Sequence, residues 1–369
     1  MRQLKVIISG GGTGGHIFPA IAIANALKQK LQEKADILFV GAEGRMEMEK
    51  VPAAGYKIEG LWISGLQRKL SLKNLTFPLK VIASLLKSYR ILSKFKPDVV
   101  IGVGGYASGP ILAVAAFKKI PTLIQEQNSY AGITNKILGR RVNKICVAYD
   151  GMEKFFPPDK IILTGNPVRQ DILSLEGKRG RALEYFEFIN DKKTLLIIGG
   201  SLGARTINQS ILNSLNLYHE NGIQVIWQTG KAFYPLAKNA IDQIKGESLK
   251  AFDFITKMDL AYAMADVVIS RAGASSVSEL CLVKKPSILV PSPNVAEDHQ
   301  TKNAMALVTH NAAIMIKDSE AGKNLYTATI DLLNSKEKQQ KLSENIARLA
   351  FKDSAGVIAS EIINLVKTK

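Results

Sequence analysis

The chain has 369 residues, 46% of them hydrophobic, and carries 49 Lys and Arg against 32 Asp and Glu, a formal net charge of +17. This length favours two domains, and the apolar content is ample for two packed cores. No apolar run approaches the ~18 residues of a membrane-spanning helix, and the apolar start is too short for a signal peptide. Cys146 and Cys281 lack a zinc spacing, so free thiols in a reducing compartment are expected.

The positive charge is concentrated in the first half. Residues 1–165 hold 24 Lys and Arg against 11 Asp and Glu, whereas the remaining residues hold 25 against 21. The segment 60–97 has no acidic residue, and apolar residues such as Trp62 and Leu79 interleave its basic ones. This mixture is typical of a surface that docks on anionic lipid. One alternative is a solvated amphipathic helix. Another is a nucleic-acid-binding surface, but the sequence contains no nucleic-acid recognition motif. The basic residues are Arg68, Lys69, Lys73, Lys80, Lys87, Arg90, Lys94 and Lys96.

Short strands alternate with helical stretches along the first half. An apolar strand over 4–9 leads into a glycine-rich turn at 9–16, and a helix is predicted from Pro19 to Leu31, with the proline in its opening turn. The later strands are apolar on both faces, as central parallel strands are. They are predicted at 37–40, 99–103, 122–125, 144–148 and 161–164.

The second half repeats this scheme. Alternation of strands and helices in both halves predicts an α/β protein of two doubly wound domains. The turn-rich segment 165–169 separates them, so domains are expected at 1–165 and 166–352, with a C-terminal helix of about 353–369 returning to the first. The strands are predicted at 194–198, 224–228, 267–270, 287–290 and 313–316.

Glycine turns follow the first strand of each half, at 9–16 and 199–205. A strand, a glycine turn and a helix form a cradle of backbone N–H groups that receives phosphate. Gly10, Gly12 and Gly15 fit a dinucleotide fingerprint, with Glu43 as its ribose acid. His16 argues against that interpretation, because a histidine beside these N–H groups can take a proton from a hydroxyl nucleophile. The alternative is a histidine that caps the turn or packs beneath it.

A third cradle follows the strand at 267–270. Its small residues allow a close approach to phosphate, and Ser275 or Ser276 can cap the next helix. Glu279, one turn further on, is placed to bind the vicinal hydroxyls of a ribose, the alternative being an exposed helical glutamate. The polar segment 291–304 follows the next predicted strand, at the sheet edge where ligands bind, and its amide and imidazole groups suit sugar hydroxyls. The alternative is a polar loop in which Asp298 or Asn303 caps a helix.

Other polar residues follow strands in the same way. Residues 102–106 and 125–128 would line the same cleft, and Arg169 on the hinge could meet a phosphate or a partner's carboxylate. No Asp-x-Asp motif is present, so a Mg²⁺-bridged diphosphate is not expected and neither a metal nor a cofactor should be required.

These segments together resemble the GT-B glycosyltransferases, and among them the branch that acts in peptidoglycan synthesis. They occur in the family's order and span most of the chain, which makes a chance match untenable. The matching segments are 11–20, 102–110, 125–128, 165–169, 199–204, 271–274 with Glu279, and 297–304.

The resemblance implies two Rossmann-like domains facing a deep cleft. It also implies inverting transfer of GlcNAc from UDP-GlcNAc to the 4-hydroxyl of MurNAc in undecaprenyl-pyrophosphoryl-MurNAc-pentapeptide (lipid I), at the cytoplasmic face of the bacterial inner membrane. The partners implied are UDP-GlcNAc, lipid I, the anionic membrane surface through residues 60–97 and other cell-wall synthesis proteins, without nucleic acid.

The resemblance assigns the donor to the C-terminal domain and the acceptor to the N-terminal domain, with His16 as general base. The backbone near Ile255 reads uracil and Glu279 holds ribose. The acceptor diphosphate lies near the first glycine turn. The substrate-binding residues implied are Thr13, Gly14, Gly15, Asn128, Arg169, Ser201, Ile255, Ala274, Ser275, Ser276, Glu279, His299, Gln300 and Asn303.

Three rival functions stay open on the sequence. Another UDP-sugar transferase acting on a lipid, such as a diacylglycerol glycosyltransferase, shares the expected fold. A UDP-GlcNAc epimerase of GT-B fold would not need the basic and apolar segment. An NAD-dependent dehydrogenase would use the first glycine turn as a dinucleotide site.

Overall fold

The computed structural model describes residues 3–65, 76–200 and 202–367. The chain divides into two compact units, the first formed by Met1–Val168 with Asp353–Lys369 and the second by Arg169–Lys352. Each unit is a parallel sheet whose strands are connected by helices, which confirms the predicted α/β class of two Rossmann-like units. In the described part of the chain, no helix is long and apolar enough to cross a membrane.

The first unit is built on a sheet of seven strands among the described residues. Its order is β3-β2-β1-β4-β5-β6-β7, and every neighbouring pair is parallel. Because β1 and β4 are neighbours, the turns that follow them lie side by side at the carboxyl edge of the sheet. The strands are β1 (Leu4–Ser9), β2 (Ala35–Ala42), β3 (Lys57–Leu61), β4 (Val99–Gly102), β5 (Thr122–Glu126), β6 (Lys144–Val147) and β7 (Ile161–Leu163).

The helices of the first unit include one from the far end of the chain. Helix α15 (Ser354–Lys367) packs against α1 (Gly14–Lys30), and Ile358, Ala359 and Ile362 join the core that α1 forms with β1 and β2. The other helices are α2 (Glu47–Ala53), α3 (Phe77–Phe95), α4 (Ser108–Phe117) and α5 (Ile133–Gly139), with short 3₁₀ turns at Met152–Lys154 and Pro158–Lys160.

The second unit repeats the architecture with six strands among the described residues, in the order β10-β9-β8-β11-β12-β13. The strands are β8 (Thr194–Ile198), β9 (Gln224–Gln228), β10 (Leu249–Phe252), β11 (Val267–Ser270), β12 (Ser287–Leu289) and β13 (Ile314–Met315). The helices are α6 (Lys178–Phe186), α7 (Arg205–Asn213), α8 (Leu215–Glu220), α9 (Tyr234–Ile244), α10 (Met258–Met264), α11 (Ala274–Val283), α12 (His299–Val308), α13 (Ala321–Asn334) and α14 (Lys336–Ala347). Short 3₁₀ turns occur at Gln170–Ile172, Ala296–Asp298 and Asp318–Glu320.

Every strand predicted from the sequence is present, with ends within about two residues of the prediction. Two strands were not predicted, β3 and β10, and each lies at the edge of its sheet. Edge strands have one unpaired side and alternate polar with apolar residues, as Lys57 and Glu59 do in β3, so a search for strands apolar on both faces passes over them.

Two predicted helix starts are wrong. Helix α1 begins at Gly14, so Pro19 lies inside it rather than in its opening turn. The glycines before Pro19 have low helix propensity, which hid the first turn. Helix α11 begins at Ala274 with Gly273 as its N-cap, so Ser275 and Ser276 belong to the first turn and neither caps the helix.

Both cysteines are buried and unbonded, as expected. Burial raises the pKa of the Cys146 thiol and of the Cys281 thiol to about 12. A thiol with such a pKa carries almost no thiolate at neutral pH, which excludes both cysteines as nucleophiles.

Replacement of Ile358 should destabilise the first unit although it lies far along the chain from β1. The side chain is fully buried among α1 and β1 residues, so we expect Ile358→Ala to lower the free energy of unfolding by about 2–5 kcal/mol. Urea unfolding followed by circular dichroism measures the change. Val357→Ala is the matched control, because Val357 is 42% exposed and its loss should cost less than about 0.5 kcal/mol. Equal effects of both substitutions would contradict the packing of α15 on α1.

Candidate functional site

Two glycine turns meet at the carboxyl edge of the first sheet. Gly104 and Gly105 follow β4 with φ of 85° and 86°, the left-handed region that favours glycine. A Cβ on Gly105 would collide with the carbonyl oxygen of Gly11 in the turn after β1. The two turns therefore touch backbone to backbone, which only glycine allows.

His16 lies in the first turn of α1, beside this contact, and is half-buried. Its Nδ1 is 2.9 Å from the carbonyl oxygen of Gly11 and 3.3 Å from Thr13 Oγ1. A carbonyl only accepts, so Nδ1 carries the proton and the lone pair of the neutral ring is on Nε2. Nε2 lies over Gly104, where a Cβ would come within 2.9 Å of it.

The surroundings of His16 favour its neutral form. Burial lowers the pKa of His16 below 6.5, while the hydrogen bond to Gly11 and the charges of Glu126 and Glu47 oppose that shift. At neutral pH the ring is therefore unprotonated at Nε2. The ring can therefore accept a proton at Nε2, which is the role that the sequence predicts for a general base.

The N-terminus of α1 presents the backbone that the sequence assigned to an anion. Thr13 is the N-cap, with an extended backbone and an exposed side chain, and Gly14 and Gly15 are the first two helical residues. The N–H groups of such residues have no carbonyl partner inside the helix. The adjacent Gly12 N–H instead donates to Glu47 Oε2 at 2.9 Å.

Glu47 was not predicted as a site residue. It is fully buried at the start of α2, and its Oε1 accepts the Ala42 N–H at 3.0 Å. A Cβ on Gly11 would collide with this carboxylate. The only local signal in the sequence is a glutamate shortly after the end of β2, which is a common feature of helix starts.

The loop after β5 is organised by buried polar groups. Glu126 accepts from the N–H of Asn128 at 3.1 Å and from that of Gly132 at 3.0 Å, and from Asn135 Nδ2 at 2.9 Å. Gln125 Nε2 donates to Asn166 Oδ1 at 2.9 Å. The side chains of residues 125–127 are therefore buried and hold the loop in its conformation. Asn128, the residue of this loop that the sequence predicts to bind substrate, is half-buried and more exposed than these three.

The second unit contains a glycine turn of the same kind after β8. A Cβ on Gly203, whose φ is 80°, would collide with the carbonyl oxygen of Thr229. Gln228 joins this turn to the loop after β10, because its Nε2 donates to Gly200 O at 3.1 Å and its Oε1 accepts the Ile255 N–H at 3.0 Å. Gln228 was not predicted. Ser201, a predicted diphosphate ligand, lies outside the described residues.

Glu279 is tied to two neighbours in the second unit. Its Oε1 is 3.2 Å from Arg169 Nε, and its Oε2 accepts from the hydroxyl of Tyr262 at 3.1 Å. Burial raises the pKa of Glu279, and the charge of Arg169 and the Tyr262 hydrogen bond oppose that shift. The structure thus brings two predicted residues together, and adds Tyr262, which a sequence search for polar loops misses because it lies in the buried helix α10.

The turn after β11 is held by residues from three elements. Arg271 Nη1 donates to Val290 O at 2.9 Å and pairs with Asp318 Oδ1 at 2.5 Å. Asn303 is fully buried and its Nδ2 donates to Ala272 O at 3.3 Å. The first residues of α11, Ala274, Ser275 and Ser276, are half-buried and follow this turn. Asn303 therefore supports the turn in this conformation.

The loop before α12 is shaped in part by Gln300. Its Oε1 accepts the Ser292 N–H at 2.8 Å, and both Gln300 and His299 are half-buried in the first turn of α12. Across residues 3–65, 76–200 and 202–367, no group of three or more His, Cys, Asp or Glu side chains is placed to hold a metal ion.

Family models match both halves of the chain. The model of the glycosyltransferase family 28 N-terminal domain matches residues 6–147, and that of the C-terminal domain matches residues 194–358.

Curated relatives match over the full length. The chain is 55% identical over 369 residues to a protein of Parabacteroides distasonis, covering 100% of both chains, and 57% identical over 371 residues to one of Bacteroides thetaiotaomicron, covering 100% of this chain and 99% of that one. Both are named UDP-N-acetylglucosamine–N-acetylmuramyl-(pentapeptide) pyrophosphoryl-undecaprenol N-acetylglucosamine transferase.

Solved structures agree with this match. MurG of Acinetobacter baumannii superimposes with a TM-score of 0.77 at 27% identity, covering 98% of this chain and 99% of that one. A UDP-GlcNAc 2-epimerase of Neisseria meningitidis, with a TM-score of 0.65 over 99% of this chain and 100% of that one, is only 16% identical and shares the fold alone. The chain therefore belongs to glycosyltransferase family 28 and, within it, to the UDP-N-acetylglucosamine–N-acetylmuramyl-(pentapeptide) pyrophosphoryl-undecaprenol N-acetylglucosamine transferases.

Proposed function

We propose that this protein transfers GlcNAc from UDP-GlcNAc to the MurNAc 4-hydroxyl of lipid I, a step of peptidoglycan synthesis that cell shape and division depend on. The observation that carries the proposal is identity of 55–57% with transferases of this activity along the whole chain. The rival functions lack such support. The UDP-GlcNAc 2-epimerase shares only the fold.

The acceptor is proposed to bind the first unit. Its diphosphate would meet the N–H groups of Gly14 and Gly15, where the helix end favours negative charge. His16 Nε2 takes the proton of the attacking 4-hydroxyl as the C1–O4 bond forms. The bond between C1 and the phosphate oxygen breaks with inversion, and UDP leaves with the electron pair. General base catalysis of this kind contributes about 10²–10⁴-fold.

The donor is proposed to bind the second unit. Its ribose hydroxyls would meet Glu279, and its diphosphate the N-terminal residues of α11. Since the Ile255 N–H is already bonded to Gln228, recognition of uracil by this backbone would fall to the carbonyl oxygen. His299 and Gln300, which are half-buried, remain the proposed sugar-binding residues. Asn303, also predicted to bind the sugar, is fully buried and would act on this site through the turn that it supports.

Transfer should proceed without a divalent metal, because backbone N–H groups at helix ends can stabilise the charge of the leaving diphosphate. The assay combines radiolabelled UDP-GlcNAc with a lipid I analogue in excess EDTA, and the labelled disaccharide product is counted after extraction. We expect turnover equal to that in Mg²⁺. Failure to form product both in EDTA and in Mg²⁺ would refute the proposed function, whereas turnover in Mg²⁺ but not in EDTA would refute only the metal-independent mechanism.

Loss of the Glu279 carboxylate should weaken UDP-GlcNAc binding. We expect Glu279→Gln to cost about 1.5–3 kcal/mol of a charge-assisted hydrogen bond, which raises KM for UDP-GlcNAc roughly 10- to 150-fold. Glutamine retains an acceptor for the buried Tyr262 hydroxyl, which alanine would leave unpaired. Steady-state kinetics measures KM, and UDP thermal shift measures binding separately. Glu337→Gln, in the first turn of α14, is a control. An unchanged KM would remove Glu279 from the donor site.

We also propose that the first unit docks on anionic lipid at the cytoplasmic face of the bacterial inner membrane. The described part of the 60–97 segment carries an α3 apolar face, defined as Leu79, Ile82, Leu86 and Tyr89, each more than half exposed. Lys80 and Lys87 lie on the same helix, and Lys118 Nζ lies 4.2 Å from the Tyr89 ring centroid. Apolar side chains bordered by lysines suit a surface of anionic headgroups. The basic residues Arg68, Lys69 and Lys73 lie outside the described residues.

Charges on the α3 apolar face should abolish this docking. We expect Ile82→Glu with Leu86→Glu to release the protein from phosphatidylglycerol vesicles in a co-sedimentation assay, because glutamate is repelled by the headgroups and cannot enter the acyl boundary. Both side chains are exposed, so folding should change by less than about 0.5 kcal/mol. Activity on a short-chain soluble acceptor should persist.

The matched control places the same charges on helices of the second unit, as Leu217→Glu with Leu236→Glu, where both side chains are also exposed. This control should still co-sediment, and binding of the parent should weaken with salt as charges are screened beyond about 8–10 Å. If the double variant on α3 co-sediments like the parent, the α3 apolar face does not dock on lipid and the proposal is refuted.

A further inference from the structure

The first glycine turn is held by a carboxylate that the proposed reaction does not use. Glu47 is fully buried and bridges two backbone donors, the N–H of Ala42 at 3.0 Å and the N–H of Gly12 at 2.9 Å. Ala42 ends β2, whereas Gly12 belongs to the turn after β1. The Glu47 carboxylate therefore links the turn after β1 to the end of β2 through two hydrogen bonds.

The same turn, which contains Gly11 and Gly12, orients His16. Gly11, next to Gly12, supplies the carbonyl that accepts the His16 Nδ1 proton at 2.9 Å. The Glu47 carboxylate also packs so closely against Gly11 that a Cβ there would collide with it. A displacement of Glu47 would move this peptide unit, and with it the carbonyl that determines which ring nitrogen of His16 is protonated.

We infer that Glu47 is a positioning residue for His16, acting through the Gly11–Gly12 turn to keep the basic lone pair on Nε2. The inference rests on the proposed function, in which Nε2 takes the proton of the acceptor hydroxyl. In many enzymes a carboxylate accepts a hydrogen bond directly from the histidine ring for this purpose. Here the Gly11 carbonyl accepts that hydrogen bond, and the Glu47 carboxylate holds the Gly11–Gly12 peptide unit in place.

The charge of Glu47 has a second effect on the same histidine. Of the charged groups that act on His16, Glu47 comes from α2 and Glu126 from the end of β5, and both favour the protonated ring. Removal of the Glu47 charge should therefore lower the pKa of His16 further. This pKa shift reports the charge of Glu47, whereas the ring nitrogen that carries the proton reports the position of the Gly11 carbonyl.

Glu47→Gln tests the inference with little change in shape. Glutamine offers one acceptor oxygen and one NH₂ group, so one of the two backbone donors would face another donor. We expect kcat to fall on the order of 10²-fold, as for a misplaced catalytic group, with KM for UDP-GlcNAc unchanged. The acidic limb of the kcat/KM profile for the acceptor should move to lower pH. Glu49→Gln, exposed on the same helix, is the control and should behave as the parent.

Two further measurements keep the outcome decisive. His16→Gln separates the two proposals: full activity of that variant would refute His16 as base, whereas an inactive His16→Gln beside a fully active Glu47→Gln would refute only the role of Glu47. A loss of kcat in Glu47→Gln while ¹⁵N NMR still shows the neutral His16 ring protonated on Nδ1 would reduce Glu47 to a structural residue.

If Glu47→Gln does not fold, the parent chain still provides a test. The chain has four histidines, and ¹⁵N-histidine NMR with His16→Gln as reference assigns the signals of His16. We expect the neutral ring to carry its proton on Nδ1. A proton on Nε2 would overturn the inference irrespective of any variant.

Discussion

The active region of the first unit depends on the contact of two peptide backbones that have no side chains where they meet. A Cβ on Gly105 would occupy the position of the Gly11 carbonyl oxygen, and Gly104 leaves room for the His16 ring. Because this carbonyl accepts the Nδ1 proton, the same contact determines both the shape of the turn and which ring nitrogen of His16 is protonated.

The second unit uses the same constraint at the corresponding place. Gly203 and Gly230 approach each other so closely that a Cβ on Gly230 would lie 2.6 Å from the Gly203 nitrogen. Buried polar side chains then hold the turns in each unit, Glu47 in the first and Gln228 in the second. Each buried polar group is tolerated because it is hydrogen-bonded, and each would be costly to leave with one partner removed.

The fold and the backbone cradles could be predicted from the sequence because strand periodicity and glycine clusters are local signals. The supporting residues could not. Glu47 and Tyr262 act through contacts with residues 35 and 17 positions away in the chain, and nothing in their own sequence context indicates those partners. The edge strand β3 was not predicted for a related reason, because it is recognisable as a strand from its pairing with β2 and not from its composition.

Helix α15 places a condition on how the chain can fold during synthesis. Its residues Ile358, Ala359 and Ile362 complete a core whose other members come from the first part of the chain. The ribosome delivers the whole of Arg169–Lys352 in between. The core of the second unit can therefore form during synthesis while the face of α1 that α15 will cover is still exposed. At this stage the apolar surface available to a chaperone lies on the first unit, although that unit is synthesised first.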